Sequence, residues 1–81
     1  METRVALIGI ILEKTENTDK LNAILHHYAG YIVSRMGVPY REKQINIMSV
    51  AVDAPLDVIN AISGKIGRID GVSVKTIYAQ V

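Results

Sequence analysis

The stretch that decides the fold is "HHYAGYIVSRMGVPY", His26–Tyr40. Just upstream, Leu21, Ile24, Leu25 and Tyr28 recur at i, i+3, i+4 and i+7, which is one apolar stripe of an amphipathic helix. After Gly30 the period changes. Tyr31, Val33 and Arg35 alternate with Ile32, Ser34 and Met36, and period two suits a strand. Gly30 is placed to end the helix as a left-handed residue. The competing reading runs the helix on to Met36. Beyond it, "MGVPYREKQ" carries Gly37 and Pro39 and reads as a hairpin connection. Pro39 has no N–H for a central ladder, so this strand is expected at a sheet edge.

Working outward, Thr3 to Glu13 is continuously apolar and rich in Ile and Val, as a central strand would be. "KTENTD" breaks it, with Asn17 or Thr18 as a cap and Asp19 in the first helical turn. On the other side, Ile45 to Asp53 reads as a third strand. "DAPLD" then opens a second helix, with Pro55 at its first position and Asp57 complementing its dipole. Val58, Ile59, Ile62, Ile66 and Ile69 give that helix its buried side, Gly71 stops it, and a last strand runs from Val72 to about Val81. The order is βαββαβ. "LNAI" at 21–24 and "INAI" at 59–62 hold equivalent places in the two halves. Right-handed crossovers then give an α+β, ferredoxin-like sandwich: a four-stranded antiparallel sheet with both helices on one face.

At 81 residues the chain is read as one domain, 1–81. A body this small buries roughly 60% of the surface its unfolded chain exposes. Hydrophobic residues make up 49% of it, with no Phe and no Trp, so the apolar load is aliphatic. Both faces of the first strand are apolar: Val5, Leu7 and Ile11 on one, Ala6, Ile8, Ile10 and Leu12 on the other. In the third strand Ile45 and Ile47 oppose Met48, Val50 and Val52. Helices cover one sheet face, and the other is expected to be covered by further copies of the chain, in a homo-oligomeric dimer or tetramer. Ile8, Ile10, Met48 and Val50 are the residues expected in that interface.

Nine Lys or Arg against eight Asp or Glu leave a net charge of +1, which is not the clustered basic footprint of direct nucleic-acid binding. There is no cysteine, so disulfides and thiolate-bound metal are excluded within the chain. "VALIGIIL", Val5–Leu12, is too short to span a bilayer and lacks a following small-residue cleavage site, so it reads as a buried strand. No membrane association and a cytoplasmic location are expected.

Candidate chemistry is sparse. His26 and His27 are adjacent, about 100° apart on a helix, whereas helical metal pairs are spaced i, i+3 or i, i+4; a solvated helix face is the expectation, with no metal and no cofactor. "SGKIGR", Ser63–Arg68, lacks the frame of a phosphate loop and sits late in a helix; Gly64 and Gly67 are read as allowing close packing. The serines at 34, 49, 63 and 73 have no base but the two helical histidines. Acyl phosphates are hydrolysed on this fold, but that family's glycine-rich phosphate loop with its Arg does not appear. The chain is therefore not read as an enzyme. "RMGVPYRE", Arg35–Glu42, sets two arginines and a tyrosine near a turn, where they could hold an anion. A ligand pocket between subunits is expected near this turn and the loop after the first strand, drawing on Glu13, Arg35, Tyr40 and Arg41.

"RVALIGIILE", "RMGVPYREKQINIMSVAVDAP" and "SGKIGRIDGVSVKT" resemble, in order and spacing, a family of small proteins encoded with iron-only (FeFe) hydrogenase systems and named as their regulators. The resemblance covers nearly the whole chain. It implies the ferredoxin-like fold shared by ACT domains and by the C-terminal domain of the nickel-responsive regulator, and assembly into dimers or tetramers. It does not carry nickel sensing, because "INIMSVAVDA" lacks the alternating histidines and the cysteine of those regulators. It carries no DNA reader either, since strand one comes first, where they have a ribbon-helix-helix. Amino-acid-binding ACT domains have Pro-Gly in the loop where this chain has "EKTENTDK". The expectation is an oligomeric regulatory protein of the hydrogenase system, acting through a ligand or a protein partner of that system. The alternatives are a structural interaction module with no small ligand and, last, a small acyl-phosphate hydrolase.

Overall fold

Alternation along Arg4–Leu12 organises the molecule. In the computed structural model, which describes residues 2–80, this segment is strand β1. Its even-numbered side chains, Ala6, Ile8, Ile10 and Leu12, are buried and its odd-numbered ones are exposed. Helix α1 spans Thr18–His27, β2 Ile32–Tyr40, β3 Ile45–Ala54, α2 Leu56–Gly67 and β4 Val72–Tyr78. The strands form one antiparallel sheet in the order β2-β3-β1-β4. This is the expected ferredoxin-like βαββαβ arrangement.

One aliphatic core fills the space between sheet and helices. Ile8, Ile10, Val50 and Val52 from the strands meet Leu21 and Leu25 of α1 and Ile59, Ile62 and Ile66 of α2. Among the described residues, no polar or charged side chain is buried. The helices are also tied to each other at the surface. Lys65 Nζ donates to Tyr28 Oη at 2.8 Å and lies 5.1 Å from the centre of its ring.

The helix ends well before Met36, as expected, but several local expectations are corrected. Gly30 is not left-handed. The chain leaves α1 through Tyr28 and a single 3₁₀ turn, Ala29–Tyr31, closed by Tyr31 N–H on Tyr28 O at 2.9 Å, so no positive φ is needed there. The hairpin connection is shorter than "MGVPYREKQ". Strand β2 runs on through Gly37 and Pro39, and Pro39 pairs with Asn46. It is tolerated because β2 is an edge, as expected. The reversal is confined to residues 41–44, where Gln44 takes a positive φ of 55°. Pro55 stands one residue ahead of α2, where its carbonyl accepts from the N–H groups of Val58 and Ile59. Strand β4 ends at Tyr78, and Val81 lies outside the described residues.

Strand β2 departs from strict alternation. Ile32 pairs with Val52 but Ser34 pairs with Ala51, so Val33 is an extra, bulged residue. Ile32 therefore shares the helix side with Arg35, while Ser34, Met36 and Val38 take the open side. Period two predicted Ile32, Ser34 and Met36 on one face; the bulge separates the first from the others.

Helix α2 stops at Gly67, four residues before the expected stop at Gly71, and Ile69 is buried beyond its end. Gly71 does need its glycine. It has φ +82°, and a Cβ there would stand 3.0 Å from Lys14 N. Gly64 does not serve close packing, because a Cβ there meets nothing within 4 Å. Exposed and inside α2, it costs the helix about 1 kcal/mol relative to alanine. Gly64→Ala is expected to raise stability by about that amount and the melting temperature by roughly 4–8 °C, read by thermal denaturation followed by circular dichroism.

Candidate functional site

The residues expected to bind a ligand do not all converge. At the tip of the β2–β3 hairpin, Tyr40 and Arg41 line a groove of about 380 Å³ together with Thr15, from the loop after β1. Arg35 lines a neighbouring groove of about 300 Å³, which shares Pro39 and Asn46 with the first. The bulge at Val33 puts Arg35 on the helix side, where its Nη2 donates to Asn22 Oδ1 at 2.9 Å. The floor between the grooves is polar and ordered: Asn46 Nδ2 donates to Thr18 Oγ1 at 2.9 Å, and Thr18 Oγ1 donates to Thr15 O at 2.7 Å. Tyr40 Oη donates to Glu42 Oε2 at 3.2 Å. Glu13 lines neither groove. Its N–H donates to Gly71 O at 2.7 Å, on the side where the β1 loop meets the start of β4.

That second junction is fastened by charge. Lys14 Nζ pairs with Asp70 Oδ2, and Asn17 Nδ2 donates to Asp70 O at 2.9 Å. The hydrogen bond from Lys14, and then its charge, hold Asp70 below its ordinary value, while the same bond and charge raise Lys14.

The four residues expected at a subunit interface lie on the wrong face. Ile8, Ile10 and Val50 are 0–2% exposed and Met48 is half-buried; all four point under the helices into the chain's own core. The physical reason is that the denser apolar parity of β1 and β3 is the one α1 and α2 need. The opposite parity is left open. Leu7 is 44% exposed, Ile11 42%, Ile47 43% and Met36 71%. Val5, Val38 and Ile77 share that face. At its centre Gly9 leaves a shallow cup of about 450 Å³, edged by Ile11, Met36, Val38, Ile47 and Lys75. A sequence signal for this assignment was present: Gly9, Ser49, Asp53, Ser73 and Lys75 all fall on the same parity as Leu7 and Ile11. A face that carries them is poorly suited to an aliphatic core.

His26 and His27 are exposed in the last turn of α1, with the His27 ring edge-on to Tyr28 at 4.9 Å. Among the described residues, no three His, Asp or Glu side chains converge as a metal site would require. No helix among them is long and apolar enough to cross a membrane.

Asp70, depressed in the fold, favours the folded state above its ordinary value of 3.8, and this contribution is lost as pH falls through the depressed value. Lys14, raised, contributes below 10.5 and loses its part as pH rises through the raised value. Both side chains are largely in solvent, so salt screens the pair. The melting temperatures of the parent and of Asp70→Asn should differ most near neutral pH and low salt, and converge in acid and in molar salt.

Comparison with known proteins places this arrangement. Residues 4–76 match the model of a family designated TM1266-like and described as "Iron-only hydrogenase system regulator, putative". The structure of the uncharacterized protein TM1266 from Thermotoga maritima superposes with a TM-score of 0.93 at 32% identity, over 98% of this chain and 100% of that one. Two further structures share the fold alone. A formyltetrahydrofolate deformylase from Pseudomonas putida KT2440 gives a TM-score of 0.65 at 10% identity, over 90% of this chain and 28% of that one. An unknown protein from Galdieria sulphuraria gives 0.67 at 13% identity, over 99% and 47%. No curated protein matches the chain.

Proposed function

We propose, for a chain that belongs to the TM1266-like family of iron-only hydrogenase system regulators, that it is a non-catalytic, ACT-like regulatory module whose working form is a homo-oligomer in the cytoplasm. Residues 1–81 act in this reading as one unit. The observation that carries it is the open sheet face. Leu7, Ile11, Met36, Val38, Ile47 and Ile77 stand uncovered together on a body of 81 residues. An apolar surface of that extent marks an interaction site in a small protein.

The groove of Thr15, Tyr40 and Arg41 supports a regulatory rather than a merely structural reading. Arg41 offers a forked cation in a pre-formed hollow, which suits a carboxylate or a phosphate. The hairpin that frames it also supplies Met36, Val38 and Ile47 to the open face. A ligand at the tip therefore touches the same two strands that take part in assembly. Hydrolysis is disfavoured because Arg35 is engaged by Asn22 and lines a different groove from Arg41, so the two arginines do not converge on one phosphoryl group.

Native mass spectrometry of the purified protein tests the oligomer. A dimer or tetramer at micromolar concentration is expected for the parent. Ile11→Asp and Ile47→Asp, which alter exposed positions, should each shift it to a folded monomer with unchanged circular dichroism. A monomeric parent overturns the reading.

A further inference from the structure

The open face is not uniformly apolar, and the layout of its residues selects one way of covering it. Strand pairing sets the residues in rows across β2, β3, β1 and β4. One row is Val38, Ile47, Ile11, Ser73; the next is Met36, Ser49, Gly9, Lys75; the third is Ser34, Ala51, Leu7, Ile77. In the third row the β2–β3 half is small and the β1–β4 half is large. The middle row has its two smallest residues, Ser49 and Gly9, at the centre. Gly9 has no need of its glycine within the chain, since a Cβ there would meet nothing nearer than Lys75 O at 3.8 Å and its φ is not positive. A glycine in a strand interior that its own fold does not require marks the close approach of another backbone.

We propose that a second copy of this chain seats on the open face, sheet against sheet, about a two-fold axis that runs along the strands between β3 and β1. This rests on the oligomeric reading and deepens it by specifying face, axis and register. The axis sets β3 of one subunit over β1 of the other and β2 over β4. Leu7 then packs on the partner's Ala51, Ile77 on the partner's Ser34, and Gly9 on the partner's Ser49, so that large residues meet small ones and the two backbones come closest at the centre. An isologous interface requires such self-complementarity.

Charge decides between this axis and the other two-fold that keeps the strands aligned. An axis across the strands through the Gly9 row would set Lys75 on the partner's Lys75, and like charges face to face in an interface are repelled. The axis along the strands moves the two lysines to opposite edges of the assembly. There each aliphatic stem lies on the partner's Met36 and the ammonium reaches water past edge strand β4. The other charged residue on this face, Asp53, sits in the row beyond Leu7, opposite Val5, at the end of the sheet. The area suffices as well. Four strands of mostly nine or ten residues span roughly 19 by 30 Å, and side-chain relief brings that toward the about 800 Å² per partner of a standard interface. Lateral addition at the β2 edge is less favoured, since the bulge at Val33 and the missing N–H of Pro39 both interrupt that edge.

The chain contains no cysteine, so introduced thiols report cleanly. Ser34→Cys and Ile77→Cys are made singly and together, with Lys75→Cys as a third single variant, and each is treated with a short-spacer bismaleimide. Within one chain the positions at 34 and 77 lie three strands apart, roughly 14 Å, beyond the reach of the reagent; across the proposed interface they face each other. The double variant should give a covalent dimer several-fold more abundant than any of the three single variants. Abundant dimer from Lys75→Cys alone overturns the proposed axis, as does a double variant that does not cross-link. Native mass spectra of the same samples separate the two readings. Uncross-linked protein that is still dimeric overturns the register alone, and monomeric protein overturns the oligomer with it.

Discussion

The structure depends on the packing of one side of β1 and β3 against the two helices. Because β1 is paired on both edges, its residues cannot slip by one without turning Ile8 and Ile10 out and Leu7 and Ile11 in. Such a slip would bring Gly9 under the helices in place of Ile8 or Ile10. The aliphatic core of Ile59, Ile62 and Ile66 would then face a hollow, which is costly. The register is thus held by side-chain volume, and the display on the other side of the sheet is its consequence.

The two halves of the chain solve the same problem in the same way. "LNAI" in α1 and "INAI" in α2 put Leu21 and Ile59 into the core at equivalent places. The asparagines of these repeats both turn outward and accept from the next strand in the chain or its counterpart in the second half. Asn22 Oδ1 takes Arg35 Nη2 at 2.9 Å, and Asn60 Oδ1 takes Tyr78 Oη at 3.4 Å. Those strands, β2 and β4, are the edges of the sheet. Each helix therefore holds its own edge strand by a side-chain bond as well as by packing, and this helps keep the open face a continuous surface.

The division of labour between surfaces is simple. The helix side is spent on the chain's own core. The open side is mostly apolar, with Lys75 and Asp53 at its margins and a hollow at Gly9 and Ser49 in its centre. The polar grooves lie at the hairpin tip and beside Arg35, and the Lys14–Asp70 pair fastens the β1 loop to the start of β4. The molecule offers a surface and a hollow, joined by one hairpin.

The sequence alone determined the element order, the edge position of β2 and the two helix stripes, because these rest on periodicity and on the backbone limits of proline, which act over a few residues. It also carried the family resemblance. Only the tertiary structure decided which parity of β1 and β3 goes under the helices. Both parities are apolar in β1, and the choice depends on the summed volume of residues far apart in the chain, with Ile10 and Val50 winning over Gly9 and Ser49. It likewise decided where Arg35 goes. A single bulged residue, Val33, reverses the facing of Ile32 relative to the residues from Ser34 onward, and a bulge is set by strand pairing across the sheet. That is why Arg35 does not join Tyr40 and Arg41 in the groove that they line with Thr15.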